Sequence, residues 1–196
     1  MLSKTMATAL ILVLSVAISA SGADKFALDQ AHSSIGFSVR HLVISKTKGS
    51  FHDATASVMY DEKDITKSSV DVTIKIASID TDNEDRDNHL KSPDFFDVEK
   101  FPEMTFKSKS IKKTKDGFVA VGDFTIRDVT KEIELPFQIL GIVDDPWGNT
   151  KMGVEAGITI DRRDYGLTWS KVVETGALVV GNEVEILLSL EFGKEK

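Results

Sequence analysis

Alternation of apolar and polar residues with a period of two is the feature that most constrains this chain. In a β-strand, successive side chains point to opposite faces, so this period places one face in a core and the other in water. The first inward set is Ile35, Phe37 and Val39. Further inward sets recur over residues 70–76, 133–139, 152–160 and 184–192.

Weaker strand patterns cover residues 51–60, 103–113 and 117–127, and Lys115-Asp116-Gly117 between the last two predicts a hairpin turn. Eight long strands that are each wet on one face favour an antiparallel barrel, because closure removes exposed strand edges. An eight-stranded barrel is wide enough for side chains or for one small ligand. Pro136, on an outward position, predicts a sheet edge or a bulge.

Two segments depart from the strand pattern. Residues 82–92 are polar and precede Pro93, which predicts a short helix or an ordered loop. Residues 162–181 are glycine-containing and predict a loop with a helical turn. The predicted fold is therefore an all-β, eight-stranded antiparallel barrel with one or two short helices.

The N-terminus predicts export. Lys4 precedes an apolar run over about residues 7–18, and Ser21 and Ala23 stand at the −3 and −1 positions of a cleavage point before Asp24. Residues 1–23 are thus predicted to be a signal peptide, and residues 24–196 one barrel domain. The run is too short to favour an uncleaved membrane anchor. In a Gram-negative source, the predicted location is the periplasm.

The net charge and the cysteine count limit which binding partners and modifications the chain can have. The chain carries 24 basic and 31 acidic residues, and removing residues 1–23 takes away one lysine and leaves a net charge of about −8. Such an acidic surface argues against nucleic acid, and against anionic membrane surfaces, as the main partners. The chain contains no cysteine, so it forms no disulfide and carries no lipid on a cysteine.

Polar side chains on inward or shared faces are candidate site residues. His41 continues the inward set of Ile35, Phe37 and Val39, so it either completes a hydrogen-bonded core or lines a cavity. Arg86 and His89 lie three residues apart, which places them on one face of a helix. Simple solvation of that face is the alternative interpretation.

Metal, cofactor and catalytic motifs are weak or absent. The four histidines lack close ligand spacing, and the acidic run from Asp80 has Asp85 and Lys91 where a calcium loop needs Gly and Glu. The sequence has no G-x-S-x-G elbow and no glycine-rich phosphate loop. We therefore predict no metal, no cofactor and no catalytic residue.

Several segments resemble the YceI-like family of bacterial polyisoprenoid-binding, lipocalin-like proteins. The most specific piece is the run R-D-N-H-L-K-S-P-D-F-F-D from Arg86 to Asp97. The other matching pieces are residues 29–41, 48–51, 78–102, 122–130, 160–166 and 180–186. Asp128, Tyr165 and Asn182 depart from the common Gly, Phe and Asp.

The resemblance implies a lipocalin-like barrel whose tunnel holds a polyisoprenoid, a polyprenyl quinone or a similar long amphiphile. It implies a periplasmic binding or carrier protein, with transient membrane exchange and a homodimer left open. An enzyme acting on an isoprenoid lipid, or a stress-response chaperone, is the alternative.

The resemblance also implies where a ligand would lie, with the Arg86–His89 face at the pocket mouth and the Phe-rich run closing over the chain. The predicted head-group residues are His41, Arg86, His89 and Asp164. The predicted tunnel residues are Phe37, Val39, Ile74, Phe95, Phe96, Phe106, Phe124, Phe137, Ile158 and Leu188.

Overall fold

A computed structural model describes residues 22–172 and 178–196 of the chain. The strands are β1 (Asp24–Leu28), β2 (Ser34–His41), β3 (Ser45–Phe51), β4 (Ala54–Tyr60), β5 (Ser69–Lys75), β6 (Ile79–Asp80), β7 (Glu103–Lys113), β8 (Phe118–Ile126), β9 (Val129–Asp144), β10 (Thr150–Asp161) and β11 (Val180–Lys194). One α-helix, α1 (Glu84–Lys91), lies between β6 and β7. The predicted signal peptide lies outside the described residues, apart from its last two positions.

The sheet closes on itself. β1 pairs with β4 on one side and with β11 on the other, and this completes a ring. Around the ring the order is β1, β4, β5, β7, β8, β9, β10, β11, and adjacent strands are antiparallel. The predicted eight-stranded antiparallel barrel is therefore confirmed. Within the described ranges, no helix combines the length and apolar character needed to cross a bilayer.

Three neighbouring strands of the barrel are interrupted at one level. β1 pairs with the last residues of β11, and β2 pairs with earlier residues of β11. β1 and β2 therefore occupy one strand position in the barrel, and the 3-10 turn at Gln30–His32 separates them. β3 and β4 are divided at residues 52–53, and β5 and β6 by Ile76–Ser78. The amide of His52 donates to the carbonyl oxygen of Ser78 (3.3 Å), so two of the interruptions lie side by side.

The alternation analysis predicts no separate strand over β1 or β3, yet both form. In β3 (SKTKGSF) only Phe51 is buried, so its pattern has no apolar face to detect. The predicted strand over residues 51–60 is shorter than expected, because the chain is interrupted before Ala54. The short helix or ordered loop predicted over residues 82–92 is the helix α1. The helical turn predicted within residues 162–181 is the 3-10 turn Arg162–Tyr165.

Two local turn predictions also agree with the structure. The amide of Thr114 donates to the carbonyl oxygen of Gly117 (2.9 Å), and Gly117 has a φ of 138° that favours glycine. Pro136 pairs with Val119 of β8, whereas the β9–β10 register ends at Phe137. Pro136 therefore lies at a local edge, where its missing N–H breaks no β10 hydrogen bond.

One end of the barrel is filled by side chains. We call it the lower end; β1 begins there and β11 ends there. Phe26, Met152 and Phe192 are 2%, 1% and 2% exposed, and Ala56 packs with them. The ring of Tyr60 meets Phe26 edge to face at 6.0 Å. These four buried residues, Phe26, Ala56, Met152 and Phe192, form the plug.

The upper end is covered by short segments rather than by strands. The side chain of Asn83 caps α1 by accepting the amide N–H of Arg86 (2.9 Å). The chain then turns back, with the amide of Phe96 donating to the carbonyl oxygen of Leu90 (3.0 Å). Five apolar residues from α1 and from the segments after α1 and β10 form what we call the cap: Leu90, Phe95, Phe96, Leu167 and Trp169.

Candidate functional site

A cavity of about 170 Å³ occupies the barrel between the plug and the cap. Its wall presents apolar surface, and Arg162 is the single ionisable residue among the described residues that border it. Cavities lined by aliphatic and aromatic groups stay dry, and they bind apolar molecules in preference to water. The cavity is therefore suited to hydrocarbon.

Nine of the ten predicted tunnel residues line this cavity. They are Phe37, Val39, Ile74, Phe95, Phe96, Phe106, Phe124, Ile158 and Leu188. The tenth, Phe137, packs on the edge of the core instead, where its ring stacks on Phe118 at 5.5 Å between centroids. Parity alone does not distinguish a side chain that faces empty space from one that faces another ring.

The sequence analysis missed several lining residues, including Met104, Ile126, Leu167 and Val180. Met104 and Ile126 belong to strands whose alternation is weak in the sequence. Leu167 and Val180 flank a loop, so no periodic pattern marks them. Others, such as Ile160 and Ile186, share the predicted inward parity and could have been included.

Arg162 is the polar residue that the sequence analysis also missed. It is 4% exposed, and its guanidinium donates from Nε to the carbonyl oxygen of Gly181 (2.8 Å) and from Nη2 to that of Val180 (3.3 Å). Nη1 donates to the carbonyl oxygen of Leu167. Burial lowers the pKa of Arg162 below its ordinary value, although the side chain stays charged at neutral pH. Its parity with Ile158 and Ile160 was the available signal.

These hydrogen bonds give Arg162 a structural task. Leu167 precedes residues 168–179, which we call the upper loop, and Val180 and Gly181 begin β11. The Arg162 side chain therefore bonds residues on both sides of that loop. The neighbouring carboxylate of Asp161 accepts instead from Arg163, which holds the pKa of Asp161 at about 2. The charge of Arg162 is therefore satisfied by carbonyl dipoles within the described chain.

The predicted head-group residue Arg86 lies on exposed α1 and turns back toward the end of β6. Its Nε donates to the hydroxyl of Thr81 (2.8 Å), and its Nη2 donates to the carbonyl oxygen of Thr81 (2.7 Å). Thr81 is 4% exposed and also donates its amide to Asp87 (3.0 Å). Arg86 therefore fastens α1 to the barrel.

His89 lies three residues further along α1 and faces the cap. Its Nε2 is 2.9 Å from Oδ2 of Asp94, and its ring meets Phe95 and Trp169 edge to face at 5.0 and 4.9 Å. The rings of Phe95 and Trp169 lie 5.1 Å apart. His89 thus joins the helix to both segments that cover the cavity, whereas Arg86 bonds a different partner.

The other two predicted head-group residues also lie at the upper end. His41 is half-buried as the last residue of β2, where it pairs with Val180 and Ser45. Asp164 is exposed on the 3-10 turn after β10, and its Oδ1 is 3.1 Å from Nζ of Lys131. None of the four residues borders the described cavity wall. Their contact with a ligand head group stays a prediction.

Asp29, His32 and Glu191 are the described residues whose ligand atoms come close enough to hold one ion, within 4.8 Å of one another. Nζ of Lys151 already lies 2.6 Å from Oδ2 of Asp29 and 3.1 Å from Oε1 of Glu191. The ammonium group pairs with both carboxylates, and its hydrogen bond with Asp29 lowers the pKa of that carboxyl group. The cluster therefore closes the seam between β1 and β2 as an ion-pair network.

Known proteins match this chain over the whole length of the barrel. The model of the YceI-like domain matches residues 26–192. A UPF0312 protein of Photorhabdus laumondii is 38% identical over 200 residues and spans the full length of both chains.

Solved structures share the architecture. A YceI protein of Campylobacter jejuni is 35% identical with a TM-score of 0.68, and the match covers 86% of this chain and 96% of that one. A polyisoprenoid-binding domain from Saccharophagus degradans has a TM-score of 0.62 at 14% identity, with 87% and 98% covered. The second likeness shows the fold alone.

Proposed function

We propose, because this chain belongs to the YceI-like family, that it binds one long apolar amphiphile in the barrel and carries it outside the cytoplasm. The observation that carries the proposal is the apolar cavity between the plug and the cap. A polyisoprenoid or a polyprenyl quinone fits this chemistry. The Saccharophagus domain of the same fold is described as polyisoprenoid-binding.

The energetics favour a ligand with a long tail. Removing hydrocarbon from water stabilises the complex by about 0.8 kcal/mol per CH2, so a five-carbon isoprene unit contributes about 4 kcal/mol. Association itself costs about 4–15 kcal/mol. A few buried units therefore give useful affinity without a strong polar contact.

The head group is proposed to lie at the upper end. The plug closes the lower end, so a tail that enters the cavity leaves its head near the cap. All four predicted head-group residues lie on that side of the barrel, on α1, at the end of β2 and after β10. They would contact the head where it emerges between the cap segments.

Binding rather than catalysis is proposed for this cavity. Its described lining offers no nucleophile and no general base, because Arg162 is engaged with three carbonyl oxygens. A hydrolase or isomerase would need such a group within hydrogen-bonding reach of the reacting bond. The apolar lining favours a protein that shields its ligand from water.

The location is proposed from the N-terminal sequence. Residues 1–23 have the features of a cleaved leader, and a periplasmic protein of this kind would move lipids across an aqueous space. N-terminal sequencing of the exported protein should begin at Asp24. A mature protein that begins at Met1 would refute the leader.

The cavity is tested by filling it. In Ile158→Trp the indole would project into the space that Ile158 borders, so lipid occupancy should fall by about tenfold or more. In the control, Thr159→Trp, the same side chain is added to the exposed face of the same strand. Organic extraction and native mass spectrometry measure the bound compound in each variant. Equal occupancy in the three proteins would contradict binding inside the barrel.

A further inference from the structure

The turn between β2 and β3 presents aliphatic side chains to solvent at the upper end of the barrel. Val43 is 63% exposed and Ile44 is 84% exposed. Val172, which is 66% exposed, belongs to the adjacent upper loop. We call Val43, Ile44 and Val172 the apolar tip.

Hydrogen bonds place the members of the apolar tip beside one another. The amide of Leu42 donates to the carbonyl oxygen of Val179 (3.1 Å), and the amide of Val179 donates to that of Lys171 (2.8 Å). Val172 also forms a bridge with Leu178. The β2–β3 turn and the described ends of the loop thus form one continuous edge above the barrel.

The turn between β2 and β3 has a backbone conformation that aliphatic side chains rarely adopt. Leu42 and Val43 have φ values of 51° and 67°, and the amide of Ile44 donates to the carbonyl oxygen of His41 (3.2 Å). In hairpin connections, two consecutive positive φ angles favour Asn-Gly at those positions. A β-branched valine is among the residues least suited to this conformation. The backbone at Leu42 and Val43 is therefore strained, and the turn exposes the aliphatic side chains of Val43 and Ile44.

The surroundings of the apolar tip are cationic, although the chain as a whole has a net charge of −7. Arg40, Lys46, Lys48 and Lys171 are exposed on the two hairpin strands and on the loop. Glu185 pairs with Lys46 (2.6 Å), so it neutralises one of the four. Among the described residues of the β2–β3 hairpin, of the loop ends at 171–172 and 178–179, and of the adjacent start of β11, exposed Glu183 is the other acidic residue. These described residues together carry a net positive charge.

We propose that the apolar tip docks on an anionic phospholipid bilayer. Aliphatic groups that enter the interface and lysines or arginines that face the head groups are the two contributions that hold peripheral proteins on such membranes. The proposal deepens the proposed function and rests on it, since docking would bring the capped end of the lipid cavity to its source. Val39, in the same hairpin, lines the cavity three residues before Leu42.

The test is sedimentation with vesicles. Purified protein is mixed with vesicles of phosphatidylglycerol and phosphatidylcholine in equal parts, and with phosphatidylcholine alone. The variant Val43→Gly/Ile44→Thr removes the aliphatic groups and relieves the positive φ, so it should fold at least as well as wild type. Its partition onto anionic vesicles should weaken by about tenfold or more. The matched control is Leu187→Thr, which removes an aliphatic side chain that is 56% exposed on the outer barrel wall.

Three outcomes would overturn the proposal: no binding of wild type to anionic vesicles, equal binding to neutral ones, or equal loss in Leu187→Thr. Self-association through the tip without vesicle binding would also overturn it and would assign the tip to a protein contact. Native mass spectrometry separates this proposal from the proposed function. The tip variant should keep its bound lipid, because neither Val43 nor Ile44 borders the cavity. A wild-type protein without any lipid would refute the proposed lipid-binding function and leave the vesicle result unaffected.

Discussion

Replacing Arg162 by Met tests how the barrel accommodates a buried cation. Met has a similar length and an apolar end, so the change keeps most of the volume while it removes the three hydrogen bonds to Leu167, Val180 and Gly181. The three carbonyl oxygens are left without this donor in a site that is 4% exposed. We expect the protein to be strongly destabilised rather than improved by an apolar side chain.

The magnitude follows from the individual contributions. Each orphaned buried carbonyl costs about 1–3 kcal/mol, which sums to roughly 3–9 kcal/mol. Removing the guanidinium also removes the free-energy cost of burying a charge, and this offsets part of the loss. The expected net decrease in the free energy of unfolding is about 3–5 kcal/mol. Arg162→Lys keeps the charge but loses the planar set of donors, so it should fall between Met and wild type.

Urea unfolding of delipidated protein, followed by tryptophan fluorescence, measures the difference. Delipidation matters because a ligand that binds the native state adds its own stabilisation. A decrease of less than about 1 kcal/mol in Arg162→Met would refute the reasoning, since it would show that water or backbone movement satisfies the carbonyls.

Two further predictions concern charged groups at the upper end. The carboxylate of Asp161 has its pKa lowered to about 2 by its hydrogen bonds with Arg163, so its contribution is present above the unfolded pKa near 3.8 and is lost as pH falls through 2. Wild type should thus be more stable than Asp161→Asn at pH 6, with the difference shrinking between pH 4 and 2 in acid-unfolding curves; a constant difference would contradict the assignment. Arg86→Ala and His89→Ala should each lower lipid occupancy in native mass spectrometry by about tenfold for an anionic head group. In thermal melts, Arg86→Ala should also lower stability by about 1.5–3 kcal/mol, because its hydrogen bonds to Thr81 are lost, and His89→Ala by about 1 kcal/mol. Full occupancy in both variants would limit Arg86 and His89 to their contacts with Thr81, Asp94 and the cap.

The barrel itself could be predicted because burial on one face imposes a period that the sequence displays. Ile158, Ile160 and Arg162 illustrate both the strength and the limit of that rule. The two isoleucines share a face as expected, and the same parity carries Arg162 into the barrel. Parity reports direction alone. It does not report that the carbonyl oxygens of Leu167, Val180 and Gly181 lie there and accept hydrogen bonds from the guanidinium.

The cap was harder to predict than the barrel, since tertiary contacts determine it. Spacing placed Arg86 and His89 on one helical face, but their side chains bond Thr81 and Asp94 respectively. The edge-to-face contact of His89 with Trp169 joins residues 80 positions apart, and no local pattern encodes it. The strand β3 escaped prediction for another reason, because only Phe51 of its seven residues is buried and no apolar face marks it in the sequence.

The plug has a consequence for the kinetics of exchange. Phe26, Met152 and Phe192 fill the lower end, so a ligand of the proposed kind would enter and leave past the cap, and a departing and an incoming molecule would compete for the same path. Under the proposed function, replacement should then be a two-step, dissociative process in which departure of the first molecule sets the rate. The exchange rate should be first order in loaded protein and independent of the concentration of competing lipid, because dissociation of the bound molecule limits it.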